Sequence, residues 1–200
     1  MLMKKILPIV IITLVLACLF VVFIWQPKVD NQRLVMPQAK GGDFTLNSST
    51  GAVSLADFRG KVSLIYFGYT MCPDICPTNL SMMANAFRQL SEQELKRVQG
   101  IFISVDPQRD TLERLAEYTH YFHPSILGLT ATPEVIKEVA DRYGVAYQKV
   151  VQDSATNYVV DHTSETYVID PNGQLVERLP HATPPAKILA VIKKYSKIEH

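Results

Sequence analysis

One stretch decides the fold: residues 61–90 read KVSLIYFGYTMCPDICPTNLSMMANAFRQL. It opens with an apolar, β-rich run at residues 61–67, bounded by Gly60 and Gly68, which predicts a buried strand. The apolar residues that follow recur at the spacing of an amphipathic helix, and they are Leu80, Met83, Ala84, Phe87 and Leu90. A strand that passes through a short loop into a helix is typical of an α/β fold.

Two cysteines, Cys72 and Cys76, lie in the loop between this strand and this helix. Each precedes a proline, which disfavours helical backbone at the cysteine itself. Pro77 suits the first position of a helix, so Cys76 is predicted at or near the cap, where the helix dipole favours a thiolate. The three intervening residues are compatible with a disulfide or with joint ligation of one metal ion.

Strand and helix patterns alternate along the rest of the chain. Thr132 is the predicted N-cap of a helix that starts with Pro133, and Asp170-Pro-Asn-Gly173 has the composition of a hairpin turn. The predicted strands are residues 101–105, 126–129, 167–169 and 175–178, and the predicted helices are residues 111–121, 133–143 and 184–195. This order predicts a three-layer α/β sandwich.

The N-terminal segment predicts a transmembrane helix. Residues 6–25 carry no charge, and 20 helical residues at about 1.5 Å each span the ~30 Å hydrocarbon core of a bilayer. Because Lys4 and Lys5 precede this run, the N-terminus is predicted in the cytoplasm and the rest of the chain on the outside. The alternatives are a cleaved signal peptide and a lipoprotein processed at Cys18, and both also export the domain.

We therefore expect three regions: residues 1–25 as a cytoplasmic tip and anchor, residues 26–40 as a linker, and residues 41–200 as one domain. The linker is polar, contains two prolines and has no periodicity. The predicted location is the cell inner membrane, as a single-pass protein with its domain on the periplasmic side.

Charge and cysteine content exclude several classes of protein. The chain has 20 Lys and Arg against 19 Asp and Glu, and it is slightly acidic without Lys4 and Lys5, whereas nucleic-acid binders usually carry a basic surplus. Three cysteines are too few for a disulfide-dense small fold. A permanent disulfide between Cys72 and Cys76 would close only a very short loop, so it would stabilise the domain little.

Residues 66–77, YFGYTMCPDICP, resemble the signature of the Sco/SenC family. Two further blocks agree in order and spacing: ISVDPQRDT at residues 103–111, and Asp161-His162 followed by YVIDPNG at residues 167–173. The resemblance covers about residues 41–195. It implies a thioredoxin-like, membrane-tethered protein that takes part in assembling the copper centre of cytochrome c oxidase, with Cys72, Cys76 and His162 as copper ligands.

The chemistry of these three side chains agrees with that assignment. Two thiolates and one imidazole form a soft donor set that suits Cu(I), with Cu(II) as a further candidate. Structural zinc is the competing metal, but it favours four ligands and the sequence offers no obvious fourth. Asp161 is a candidate to orient the imidazole of His162 by hydrogen bonding.

Two functions are compatible with these residues. The first is a copper carrier that delivers the metal to the oxidase subunit bearing the dinuclear copper site, with other copper carriers or thiol reductants as partners. The second is a thiol–disulfide oxidoreductase that reduces the cysteines of that subunit through Cys72 and Cys76; a redox or copper sensor would use the same residues. The C-x-x-x-C spacing, and Ser164 where thioredoxin-type oxidoreductases have a cis-proline, favour the carrier over a conventional enzyme.

Other polar side chains receive simpler interpretations. His123 is predicted at a helix end, as a cation that complements the helix dipole. Asp106 and Asp110 flank Arg109 and predict an ion-paired helix start rather than a catalytic pair of carboxylates. His181 is predicted to be solvated.

Overall fold

The structure is a computed structural model that describes residues 39–154 and 157–196, together with the helical positions 14, 16–18 and 20. Among these residues there is no helix of the length and apolar character needed to cross a membrane. The predicted anchor, residues 6–25, and the predicted linker, residues 26–40, lie largely outside the described residues. The chain divides into two units, Met1–Val35 and Met36–His200, and the following concerns the second unit.

This unit contains nine strands and five α-helices within the described residues. The strands are β1 (Thr45–Ser48), β2 (Gly51–Ser54), β3 (Val62–Gly68), β4 (Val98–Ser104), β5 (Ile126–Leu129), β6 (Tyr147–Ser154), β7 (Asn157–His162), β8 (Thr166–Ile169) and β9 (Leu175–Leu179). The helices are α1 (Ile75–Phe87), α2 (Glu92–Leu95), α3 (Leu112–Phe122), α4 (Pro133–Tyr143) and α5 (Pro185–Ser196), and a 3₁₀ helix covers Leu55–Phe58.

A central sheet of five strands, in the order β5-β4-β3-β8-β9, forms the middle layer. Strands β3, β4 and β5 are parallel, whereas β8 runs antiparallel to both β3 and β9. All seven residues of β3 are buried, as expected for a strand covered on both faces. The buried strand predicted at residues 61–67 is thereby confirmed.

Tyr66 and Phe67 show how the helices are divided between the two faces of the sheet. Successive residues of a strand point to opposite faces. The hydroxyl of Tyr66 accepts a hydrogen bond of 3.1 Å from Asn79 of α1, whereas the ring of Phe67 lies 5.7 Å from that of Tyr143 in α4. Helices α3 and α5 pack beside α1. The result is the predicted three-layer α/β sandwich.

Local signals for the helix ends are confirmed. The hydroxyl of Thr132 accepts a hydrogen bond from the backbone amide of Val135 at 3.5 Å, so it caps the N-terminus of α4 as predicted. The same helix ends at Gly144, whose φ of 66° lies in the left-handed region that favours glycine.

Two antiparallel hairpins, β1–β2 and β6–β7, lie outside the predicted elements. The first has strands of only four residues, too short to show a periodic pattern. It joins the edge of the sheet through reciprocal backbone hydrogen bonds between Asn47 and Thr130, of 2.8 and 3.0 Å. The second hairpin is its own two-stranded sheet, and its strands carry many polar residues, so they do not resemble buried strands.

The pairing of β8 with β3 determines where the segment before β8 lies. Thr166, the first residue of β8, pairs with Tyr66 near the end of β3. The residues that precede Thr166 are therefore brought to the sheet end from which the cysteine loop departs. As a result, the segment carrying His162 faces that loop.

Candidate metal centre

The cysteine loop is fastened to the sheet by a buried carboxylate. Asp110 accepts hydrogen bonds from the backbone amide of Thr70 at 3.0 Å and from its hydroxyl at 2.6 Å. The hydroxyl of Ser104, at the end of β4, donates to the same carboxylate at 2.6 Å. Of the two carboxylates predicted in an ion-paired helix start, Asp106 does pair with Arg109, whereas Asp110 instead anchors the loop that carries the cysteines.

Cys76 is the second residue of α1, two positions after the N-cap residue Asp74, and so lies near the cap as predicted. Its side chain is fully buried, whereas Cys72 retains 8% exposure. The backbone amide of Cys76 donates to the sulfur of Cys72 at 3.5 Å. A methyl group at Gly68 would lie 2.7 Å from the sulfur of Cys76, so this position requires glycine to make room for the thiol.

His162 is the last residue of β7 and is half-buried. Its Nε2 lies 3.3 Å from the sulfur of Cys76, and its Nδ1 lies 3.0 Å from the carbonyl oxygen of Thr163. Because a carbonyl only accepts, Nδ1 carries the proton and Nε2 has the free electron pair needed to bind a metal. The Thr163 carbonyl thus takes the position expected for the carboxylate of Asp161, whose side chain is exposed.

The three predicted ligands come together. One donor atom from each of Cys72, Cys76 and His162 lies within 4.8 Å of the other two. Within the described part of the chain this is the one such group of three or more His, Cys, Asp and Glu side chains. Both cysteines are free thiols in this structure, so the predicted disulfide between them stays a prediction.

The pKa values of the two thiols are shifted in opposite directions. The hydrogen bond from the Cys76 thiol, with further hydrogen bonds from the loop backbone, lowers the pKa of Cys72 to about 3. Burial, together with the neighbouring Cys72, raises the pKa of Cys76 well above its usual range. The metal-free pair therefore holds one thiolate and one thiol at neutral pH, and binding of a metal by both sulfurs releases one proton.

Two tyrosines enclose the imidazole. The rings of Tyr66 and Tyr69 each lie 6.0 Å from the ring of His162 and stand nearly perpendicular to it. Burial raises the pKa of Tyr66 above its usual range, so its phenol stays neutral. The imidazole is consequently held between aromatic edges and faces that restrict its rotation.

Asn79 connects the site to the loop before α5, and sequence reasoning did not identify it. Its amide nitrogen lies 2.8 Å from Nδ1 of His181, and its amide oxygen accepts from the backbone amide of Ala182 at 3.0 Å. His181 is therefore not simply solvated, as was expected, but held by α1. A signal for Asn79 was available in the sequence. Asparagine is unfavourable inside helices, and this one lies next to Leu80 on the buried face of α1, which indicates a specific polar role.

The centre opens to solvent on one side. A cavity of about 380 Å³ is lined by Tyr69, Cys72, Pro73, Asp161 and His162, among others. Cys76 does not line this cavity. A molecule in the cavity therefore meets Cys72 and His162 first.

His123 lies away from the centre and does not serve as a cation. It is buried against Phe87, and its Nδ1 accepts a hydrogen bond from the backbone amide of Ser125 at 3.1 Å. Burial and the nearby Arg88 guanidinium lower the pKa of His123. The prediction of a dipole-complementing cation was wrong, because the helix end packs into the core.

Comparison with known proteins gives a consistent result. The family model SCO1/SenC matches residues 33–197. An SCO2-like protein of Rickettsia felis is 41% identical over 76% of this chain and 75% of its own length. The structure of Arabidopsis thaliana ScoI with copper bound is 37% identical, covers 80% of this chain and 100% of that chain, and has a TM-score of 0.72.

A further solved structure shows the same fold at lower identity. BsSco, described as having a disulfide switch and as a member of the Sco family of cytochrome c oxidase assembly proteins, is 25% identical with a TM-score of 0.62. The alignment covers 80% of this chain and 95% of that one. The family match spans most of the domain and includes all three residues of the centre, so this chain belongs to the SCO1/SenC family.

Proposed function

We propose that this protein binds copper and delivers it to, or prepares, the dinuclear copper site of cytochrome c oxidase. The observation that carries the proposal is the convergence of two sulfurs and one imidazole nitrogen within 4.8 Å. The copper-bound structure of the related ScoI and the description of BsSco as an oxidase assembly protein support it.

The donor set favours copper over zinc. Two thiolates and an imidazole suit Cu(I), which accepts three soft ligands, whereas structural zinc is almost always bound by four. Across residues 39–154 and 157–196, no fourth His, Cys or carboxylate group joins the cluster. Cu(II) is a further candidate for the same ligands.

The arrangement of the ligands suits transfer of the metal. Cys72 and His162 line the open cavity, so an incoming ligand from an acceptor can reach the metal from that side. Cys76 is fully buried and would hold the metal until the other two bonds have exchanged. The acceptor is the copper-bearing subunit of the oxidase, and other copper carriers or thiol reductants supply the metal or the electrons.

The predicted anchor indicates the cellular compartment in which this chemistry takes place. With residues 6–25 as a single transmembrane helix and residues 26–40 as a linker, the domain from residue 41 lies on the periplasmic side of the inner membrane. That compartment is oxidising, so a reductant is required to keep Cys72 and Cys76 as thiols.

Thiol–disulfide exchange is the second candidate function, favoured by the low pKa of Cys72, about 3. The Cys72 thiolate would attack a disulfide of the partner, forming a mixed disulfide and releasing one partner thiolate. Cys76 would then lose its proton to the released partner thiolate and attack the sulfur of Cys72, releasing the second partner thiolate and leaving a Cys72–Cys76 disulfide. A thiol reductant would restore the pair.

His162→Ala separates the two functions. Copper binding needs the imidazole, whereas thiol exchange needs only the two sulfurs. Loss of residues that merely orient a ligand costs roughly 10- to 100-fold in metal affinity, so we expect loss of His162 to cost more than this. Cu(I) affinity of the full chain in detergent is measured by competition with a chromophoric chelator, with exposed His120→Ala as the matched control.

The same variants distinguish the two functions in cells that lack the wild-type gene. If the protein is a copper carrier, His162→Ala should lower oxidase activity, and added copper should partly restore it. Full oxidase activity of His162→Ala at ordinary copper supply, with loss only in Cys72→Ser and Cys76→Ser, would establish thiol exchange instead.

A further inference from the structure

The hairpin β6–β7 carries one ligand of the centre, whereas the loop between β3 and α1 carries the other two. In the described part of the chain, this hairpin forms a separate two-stranded sheet and does not pair with the central sheet. The backbone ladder of the central sheet brings the end of β7 near the cysteine loop through β8, but it leaves the rest of the hairpin unpaired with the sheet. Side chains that fasten the hairpin to the domain supply the remaining constraint on the distance between His162 and the sulfurs.

An exposed connection joins Lys149 of β6 to Gln108, with a hydrogen bond of 2.6 Å. The more buried connection is made by three side chains: Asp106 and Arg109, from the loop after β4, and Tyr158 from β7. The hydroxyl of Tyr158 donates to Asp106 at 2.7 Å, and Nε of Arg109 donates to the same carboxylate at 2.5 Å. Nη1 of Arg109 donates to the backbone carbonyl of Tyr158 at 2.9 Å. The hairpin is thus held through both the side chain and the backbone of Tyr158.

Burial and charge restrict the ways in which Asp106, Arg109 and Tyr158 can be arranged. Asp106 is fully buried, so its carboxylate depends on the two donors that hydrogen-bond to it and on the ammonium of Lys149, which lies 3.7 Å away. The guanidinium carbon of Arg109 lies 3.6 Å from the ring centre of Tyr158, and Nζ of Lys149 lies 4.7 Å from that centre. Burial, with the hydrogen bond to Asp106, raises the pKa of Tyr158 to about 12, so the phenol keeps its proton for donation.

The cluster also reaches the cysteine loop. Arg109 lies 5.6 Å from the ring centre of Tyr69, and that ring contacts the imidazole of His162 edge-on. Along β7, Tyr158 and His162 are four residues apart and so point to the same face of the strand. A shift of Tyr158 therefore moves His162 relative to Cys72 and Cys76.

We propose that Asp106, Arg109 and Tyr158 form a clamp that positions His162 against the two cysteine sulfurs and thereby sets the copper affinity of the centre. These are positioning residues, since none of them belongs to the group of metal-binding donors. The proposal rests on the proposed function because the measured property is copper affinity.

Tyr158→Phe tests the clamp with the smallest change. Replacement of Arg109 would remove the hydrogen-bonded cation of the buried Asp106 carboxylate, leaving only Lys149 at 3.7 Å, and so threaten folding. Tyr143→Phe is the matched control: it also removes one phenol hydrogen bond, of 2.9 Å to the Gly42 carbonyl, but on the opposite face of the sheet. We expect Tyr158→Phe to weaken Cu(I) binding by about 10-fold, the lower end for residues that orient a metal ligand, and Tyr143→Phe to leave it unchanged.

A double-mutant comparison shows whether the effect passes through His162. In a His162→Ala background, Tyr158→Phe should cause no additional loss of affinity, because there is no imidazole left to position. An equal loss in both backgrounds would overturn the proposal, and so would unchanged affinity of Tyr158→Phe in a protein whose copper binding depends on His162.

Hydrogen exchange of the metal-free full chain provides a readout that needs no copper. Amides of β6 and β7 should exchange several-fold faster in Tyr158→Phe than in wild type or Tyr143→Phe; equal rates in all three would contradict the clamp. If wild type bound no Cu(I) through His162, the proposed function would be wrong, and this exchange comparison would still decide whether the clamp holds the hairpin.

Discussion

At the scale of single residues, the Cys72 and Cys76 thiols differ because one faces the cavity and the other lies under the loop. Cys72 accepts hydrogen bonds from the Cys76 thiol and the Cys76 amide, both of which stabilise a negative sulfur. Cys76 has been removed from water and lies beside that negative charge. The thiol that solvent reaches is therefore the one that is ionised.

The ionisation of Cys72 is directly testable. With a pKa of about 3, Cys72 is a thiolate throughout pH 5–8 and gains its proton only as the pH falls towards 3. In a Cys18→Ser background, thiolate absorbance near 240 nm should indicate one thiolate per chain at pH 5. Absence of that absorbance until the pH rises above about 8, as for an ordinary cysteine, would show that the hydrogen bonds do not act on Cys72 as described.

Gly68 is a second residue whose role is local and steric. In Gly68→Ala the new methyl would lie 2.7 Å from the Cys76 sulfur and 2.8 Å from a ring carbon of Phe102. We expect a loss of about 1–3 kcal/mol in the free energy of unfolding, measured by urea denaturation, together with weaker Cu(I) binding.

Gly100→Ala is the control for that substitution, because it is equally crowded but faces Ile126, Met83 and Phe87 instead of a ligand. It should lose a similar amount of stability while the folded protein keeps its copper affinity. Equal affinity of the two variants would mean that crowding at Gly68 does not displace Cys76.

At the scale of elements, the helices are specified by local signals that do not involve the metal centre. Thr132 caps α4, which packs on the face of the sheet opposite to α1. The cysteine loop, in contrast, depends on Asp110, 40 residues beyond Thr70. Stability and copper binding should therefore respond to different substitutions.

Thr132→Ala tests this separation. Removal of an N-cap hydroxyl typically costs about 1 kcal/mol of stability, and we expect that loss in the free energy of unfolding. The Cu(I) affinity should be unchanged, because α4 contributes no ligand. A substantial change in affinity would show that α4 and the centre are energetically coupled.

At the scale of the whole molecule, a metal that binds only the folded chain must stabilise it. The three ligands come from positions up to 90 residues apart, so the unfolded chain does not present them together. At a free Cu(I) concentration 100 times the Kd, we expect about 2.7 kcal/mol of added stability. Calorimetry of the reduced full chain should show a rise of several degrees in Tm, and His162→Ala should show a much smaller rise at the same copper concentration.

Redox state should gate this stabilisation. In a chain with Cys72 and Cys76 joined in a disulfide, neither sulfur is available as a thiolate ligand. The oxidised protein is thus expected to gain no thermal stability from Cu(I), and treatment with a thiol reductant should restore the gain. Stoichiometric copper uptake by the fully oxidised protein would contradict the assigned ligands.

Local sequence information was enough for most of the fold, and the resemblance to the Sco/SenC family implied the proposed ligands. Strand and helix periodicities predicted the core of the sandwich, because burial of one face repeats every two residues in a strand and about every 3.6 in a helix. The two short hairpins were missed because four-residue or polar strands have no clear period. Cys72, Cys76 and His162 were identified from motifs that lie in three separate blocks of the chain.

The tertiary structure alone decided how those ligands are held. Thr163 rather than Asp161 fixes the tautomer of His162, because the chain turns at the end of β7 and brings the carbonyl of Thr163 to Nδ1 of His162. Arg109 keeps its predicted local ion pair with Asp106, but it also holds the hairpin through Tyr158, 49 residues away in the chain. Asp110 anchors the cysteine loop through Thr70, 40 residues away. Sequence determines which chemical groups are present and which elements form around them. Contacts between distant segments determine the distances between those groups and their acidities. Both properties depend on which other groups folding places within a few ångströms.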